Sequence, residues 1–154
     1  MQLSEHFTLA EATFSSMAER LGIDNSGDNV ATLASAMYTA SKMERVRALL
    51  DNKSIHVNSW IRSVPLNRAL GSKDTSQHIV GEAVDFICAE FGTPLAIAQK
   101  LIDYMELLDF DQLILEHSWI HISFKQKANR REILSLLATG SYARGLTDKN
   151  GNPY

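Results

Sequence analysis

The chain's residue patterns predict an α+β domain, with helices packed on a small antiparallel sheet. Three observations carry this. Apolar residues recur at helical spacing through the first third. Short runs near 54–60, 82–89 and 112–124 alternate or carry strand-forming residues. The last of these is interrupted at His117-Ser118, as a tight turn between two strands would be.

Thr8-Leu9-Ala10-Glu11 matches a capping box and starts a helix that runs to about Leu21, with Gly22 as its stop. Phe7 is placed to pack back on that helix. Ile23 to Asn29 is a turn region. Val30, Leu33, Ala34, Met37, Ala40, Met43, Val46, Leu49 and Leu50 mark one long helix. Its methionines read as core filling rather than a cofactor box. Lys42, Glu44, Arg45 and Arg47 read as its solvated side.

Ser54 to Trp60 reads as a strand, and Ile61 to Ser76, broken by Pro65 and Gly71, as a loop. Glu82 to Ala89 is a second strand, with Ala83, Asp85 and Ile87 on one face and Val84, Phe86 and Cys88 on the other. Thr93-Pro94 opens a helix that continues through Leu108. Gln112–Glu116 and Trp119–Phe124 form two strands. Asn129 caps a last helix through Ile133, Leu136 and Leu137. Residues 1–138 make one domain, and the Gly-, Ser- and Asn-rich stretch 139–154 is a mobile tail.

Composition narrows the function classes. The 154 residues suffice for one buried core. Fifteen basic against eighteen acidic residues give a net charge of −3, which argues against a general nucleic-acid binder. No apolar run is long enough to span a bilayer. The N-terminus lacks the basic-then-apolar pattern of a secretory signal. The single Cys88 excludes an internal disulfide and fits a reducing, cytoplasmic compartment. We read it as a small buried residue.

His78, Asp85 and His121 carry the chemistry. Two imidazoles and a carboxylate can hold a zinc ion and leave its fourth position to water, whose pKa then falls to about 7. The His-x6-Asp spacing is not the helical His-Glu-x-x-His arrangement. His78 falls on a loop, while Asp85 and His121 project from two strands. If those strands are neighbours the three can converge on one ion, with Mn, Co or Ni as weaker fits than zinc. Each residue alone has a plain reading: a solvated loop His, a paired strand Asp, a satisfied sheet His. An Asp inside an otherwise apolar strand is costly unless paired, which favours the joint reading. Small residues at Gly81 and Ala83 let the backbone turn close by.

The string Ser76-x-His78-x-x-Gly81-x-Ala83-x-Asp85, with Trp119-Ile120-His121 downstream, resembles the M15 family of zinc peptidases. These include D-alanyl-D-alanine carboxypeptidases and phage endolysins that cut peptidoglycan. The opening Leu3–Glu11, the stretch Val57–Ser63, and Leu66-Asn67 with Gly71-Ser72 agree with this, so the resemblance spans roughly residues 3 to 138. It implies a hedgehog/DD-peptidase-like fold; within the α+β fold the metal is expected at the sheet's edge. It implies Zn2+ held by His78, Asp85 and His121, with Arg62 stabilising the developing oxyanion. It implies Ser76 as a substrate-binding residue. In much of the family an acid lies three residues before the last His, where this chain has Ser118. The nearest acid is Glu116, in the Glu-x-x-Trp-x-His form of the phage-type branch. Glu116 is therefore the expected general base, against the plain reading of a strand-end carboxylate. His117 is expected to assist at the substrate oxyanion. His6 and His56 lie outside the motifs.

The expected activity is hydrolysis of peptidoglycan stem peptides, at D-Ala-D-Ala or L-Ala-D-Glu bonds, by a monomer with no nucleic-acid or membrane partner. A phage-encoded lytic enzyme fits this, as does a cytoplasmic wall-recycling enzyme. The other reading is a non-catalytic zinc-binding interaction domain on the same fold, as in the hedgehog signalling domain.

Overall fold

A computed structural model describes residues 1–154. It is α+β, with helices packed on one face of a six-stranded, mostly antiparallel sheet. The helices are α1 (Leu9–Thr13), α2 (Ser16–Leu21), α3 (Val30–Leu49), α4 (Val64–Ala69), α5 (Pro94–Asp103) and α6 (Met105–Leu108). The strands are β1 (His56–Ser59), β2 (Ala83–Ile87), β3 (Gln112–Leu115), β4 (Ile120–Ser123), β5 (Glu132–Leu136) and β6 (Tyr142–Arg144). Their order across the sheet is β1-β2-β4-β3-β5-β6. All neighbours are antiparallel except β3 and β5.

The N-terminal capping box forms as expected. The Glu11 amide donates to the Thr8 hydroxyl, and the Thr8 amide donates to the Glu11 carboxylate. The helix then breaks at Phe14, whose backbone is extended, and Ser15 caps a second short helix ending at Gly22. The expected single helix is thus two.

Helix α3 buries Ala36, Ala40, Met43 and Val46. Val30 and Met37, expected on its core side, are exposed. Two of its charged residues are occupied rather than solvated. Glu44 accepts from the Ser4 hydroxyl and the His6 amide, pinning the N-terminal segment. Lys42 donates to the Leu108 carbonyl.

Three further expectations are corrected. The stretch read as a loop after β1 contains α4, because Ser63 caps it and Pro65 sits in its first turn, where no amide hydrogen is needed. The expected last helix is β5, which pairs in parallel with β3. The segment expected to be a mobile tail supplies β6, paired with β5, and closes with a bridge between Thr147 and Pro153.

Alternation along the central strands divides the sheet into two faces. Val84, Phe86, Leu113, Leu115, Ile120 and Ile122 point toward the helices and form one core with α3 and α5. Cys88 is buried with them, and burial pushes its thiol above the ordinary range. Asp85 and His121 project from the opposite face of two interior strands, so their cluster lies on the sheet's face and not at its edge as expected. No helix is long and apolar enough to cross a membrane.

Candidate metal centre and catalytic cleft

Adjacent, registered strands bring Asp85 and His121 together. Asp85 on β2 lies opposite His121 on β4, so both side chains leave the same face. His78 comes from the turn before β2. Gly81 lets that turn close: its φ is +77°, and a Cβ there would stand 2.8 Å from the Thr32 carbonyl oxygen of α3. The Trp60 indole donates to the Gly81 carbonyl at 3.0 Å and fixes the same turn from the other side.

One ligand atom from each of His78, Asp85 and His121 lies within 4.8 Å of the others, so the three could hold a metal ion. His78 Nε2 is 3.3 Å from Asp85 Oδ2, and His121 Nδ1 is 2.8 Å from Asp85 Oδ1. The other nitrogen of His78, Nδ1, lies 2.7 Å from the Trp60 carbonyl. A carbonyl only accepts, so Nδ1 carries the hydrogen. Burial pushes the His78 imidazole below its ordinary pKa and toward the neutral form, against the pull of Asp85. Neutral His78 then turns a lone pair on Nε2 toward a carboxylate oxygen. Two acceptors facing each other call for a cation between them, and the bond from Nδ1–H to a carbonyl is how metal-ligating histidines are commonly oriented. The donor set of two imidazoles and a carboxylate fits zinc.

Burial alone would raise the Asp85 carboxyl, but positive charge on the His78 and His121 rings outweighs it and holds the group far below the usual carboxylate range; with the rings neutral, a bound cation would supply that charge. Asp85 is therefore ionised, as a ligand must be.

Arg62 follows β1. Its amide donates to the His78 carbonyl at 3.1 Å, tying the two loops together. Its guanidinium donates to Ser59 Oγ at 2.9 Å, Ser72 Oγ at 3.3 Å and Asp85 Oδ2 at 3.1 Å. Burial lowers its pKa and Asp85 opposes this; an arginine keeps its charge regardless. Arg62 and Asp85 line a cleft of about 370 Å³, with Trp119, Phe14, Leu66 and Leu70 as its apolar walls.

Glu116 lies on the same side. Ile114 is opposite His121, and Glu116 is two residues beyond Ile114, so it shares that face. The Glu116 amide donates to the Trp119 carbonyl, which leaves His117 and Ser118 as a two-residue turn. His117 adopts the left-handed conformation there, with φ +64°. Burial pushes the Glu116 carboxyl above its ordinary value; His121 opposes this and Asp85 adds to it.

The structure thus gathers His78, Asp85, His121 and Arg62 at one point, with Glu116 on the same face. The remaining two expected residues are placed otherwise. The Ser76 hydroxyl accepts from the His78 amide at 3.4 Å and does not line the cleft. His117 Nε2 is bound to the Leu136 carbonyl at 2.8 Å, leaving only Nδ1 free. Sequence reasoning missed the Trp60 carbonyl, and Ser59 and Ser72 as supports of Arg62. A main-chain acceptor leaves no trace in residue type. The two serines lie within stretches that carry the resemblance, but spacing alone assigns them no task.

The family model for peptidase M15 matches residues 5–123, which takes in every one of these groups. The chain belongs to the peptidase M15 family. It therefore carries a metallopeptidase domain, and its His-Asp-His cluster is a candidate metal site of that M15 domain. The matched region ends with β4, so β5 and β6 lie outside it. No curated protein is significantly similar to the chain.

Proposed function

We propose that this M15 peptidase is zinc-dependent and hydrolyses peptide bonds in peptidoglycan stem peptides, as a phage-type cell-wall lytic enzyme. The bond cut is of the D-Ala-D-Ala or L-Ala-D-Glu type. The observation that carries the zinc assignment is the convergence of one ligand atom each from His78, Asp85 and His121 within 4.8 Å of one another. Family membership and the M15-like motif strings support the substrate class.

His78, Asp85 and His121 would hold the ion. When bound, zinc would supply Lewis acidity toward water and the scissile carbonyl. Glu116 takes a proton from the attacking water and returns it to the leaving amine. Its raised pKa suits both halves of that task. Arg62, fixed by Ser59 and Ser72, faces the oxygen on which negative charge develops. The cleft walls exclude water and hold the peptide. His117, anchored through Nε2, would meet substrate through Nδ1, and Ser76 would meet it only from outside the cleft walls.

Release of amino groups from purified peptidoglycan, followed with and without a chelator, tests this reading. Chelator-sensitive release, restored by zinc, supports it. Zinc binding without cleavage would instead favour an interaction domain on the same fold. Mass spectrometry of defined muropeptide fragments then identifies the bond.

A further inference from the structure

The sheet continues past the family-matched region, and that continuation reaches the candidate catalytic carboxylate. Leu115 on β3 is opposite Ser135 on β5, so Glu116, one residue on, comes level with Leu136. Leu136 is in turn opposite Tyr142 on β6. The bond from His117 Nε2 to the Leu136 carbonyl confirms that the β3–β4 turn rests on the end of β5. Glu116, Leu136 and Tyr142 therefore form one row across the sheet, and residues in such a row leave the same face. That is the face of Asp85 and His121. Tyr142 is 50 % exposed, so its side chain lies outside the core.

The row puts the two side chains on one face within reach of each other, and each bears on the other's titration. Burial and the Glu116 charge both hold the phenol above its ordinary pKa, so it stays protonated and can donate. Catalytic hydrogen bonds often close fully only when substrate binds. The remaining charged groups around the carboxylate are His121, Asp85 and His117. None is free to aim it: two are candidate metal ligands, and His117 is committed to Leu136.

We propose that Tyr142 is a positioning residue for Glu116: its hydroxyl donates to the carboxylate and aims it at the attacking water. The C-terminal β6 hairpin would then be part of the working site, although the family match stops short of it. This rests on Glu116 being the base.

Two measurements on the zinc-loaded full chain test it. The first is kinetic, using release of amino groups from a defined muropeptide. Tyr142→Phe keeps the ring and should lower kcat about tenfold with KM and zinc content unchanged, the loss expected for one hydrogen bond to a charged group. Added to Glu116→Gln, it should cost nothing further. Unchanged kcat in Tyr142→Phe, or an equal loss in the Glu116→Gln background, overturns the proposal. A drop in melting temperature with kcat intact assigns Tyr142 a merely structural role. The second measurement needs no turnover: the Tyr142 ring signal by NMR, assigned with Tyr142→Phe, should move in Glu116→Gln. A signal that does not move overturns the pairing. If the wild type cuts no muropeptide yet the signal moves, the assigned activity fails and the Tyr142–Glu116 contact stands.

Discussion

His78 gives its Nδ1 hydrogen to the main-chain carbonyl of Trp60, across 2.7 Å, which commits its other nitrogen to face Asp85. The bond selects a tautomer before any ion arrives. Substitution of Trp60 cannot remove a main-chain oxygen, but it would remove the indole that holds the Gly81 carbonyl and so loosen the turn that carries His78.

Metal content is the most direct consequence. His78→Ala and His121→Ala should each lower bound zinc well below one per chain at micromolar metal, whereas Glu116→Gln should leave it at one. Metal analysis after gel filtration checks this. Full stoichiometry in His121→Ala would remove that residue from the ligand set.

The pH profile should report Glu116. A base must be ionised, and burial raises this carboxyl above the ordinary carboxylate value. Activity should therefore rise with pH through a limb above the range of a free glutamate. Glu116→Gln should lower kcat by on the order of 10²–10⁴ with the fold intact. Rate profiles of the wild type between pH 4 and 8 locate the limb; a limb at or below the usual glutamate value counts against Glu116.

Gly81→Ala should loosen both fold and site. Alanine at φ +77° is strained, and its Cβ would meet the Thr32 main-chain oxygen at 2.8 Å, an atom that cannot swing aside. A loss of about 2 kcal/mol or more is expected, lowering Tm by about 4–8 °C. Weaker zinc binding should accompany it, because the same turn carries His78. Thermal unfolding with and without zinc measures both.

Acid stability should depend on Asp111. Burial would raise this carboxyl, but bonds from the Arg130 guanidinium and amide, with Lys125 beside them, bring it down to about 2. Its folded pKa is below its unfolded value, so its contribution is complete above about pH 4 and is lost as pH falls toward 2. Asp111→Asn should cost about 1.5–3 kcal/mol near neutrality and flatten the acid limb of stability. Denaturant melts at pH 7 and pH 3 give the comparison.

Local signals explain what could be read from sequence. The Thr8–Glu11 box, the Gly22 stop, the Thr93-Pro94 start and the alternation around Asp85 all act within a few residues, and each recurs in the structure. The convergence of His78, Asp85 and His121 was foreseeable because two strands of known facing needed only to be neighbours. What sequence misplaced depends on distant partners. Glu132–Leu136 carries no residue that forbids a helix; pairing with β3, some twenty residues upstream, makes it a strand. Gly140 and Ser141 look like tail residues until β6 finds β5. For the same reason nothing local in the sequence marks Tyr142.

The division of the sheet into a helix-covered face and a chemical face makes this site intolerant of insertions in a particular way. Deleting one residue inside β4 would rotate the strand's pattern by a half-turn, driving His121 in among Phe86 and Leu113 and sending an isoleucine out to where the ion should sit. Length can vary with little penalty only in loops that carry none of the site residues, and the count of residues between Ile120 and Ser123 cannot vary at all. Any natural or designed variant that retains function should preserve that spacing even where little else is shared.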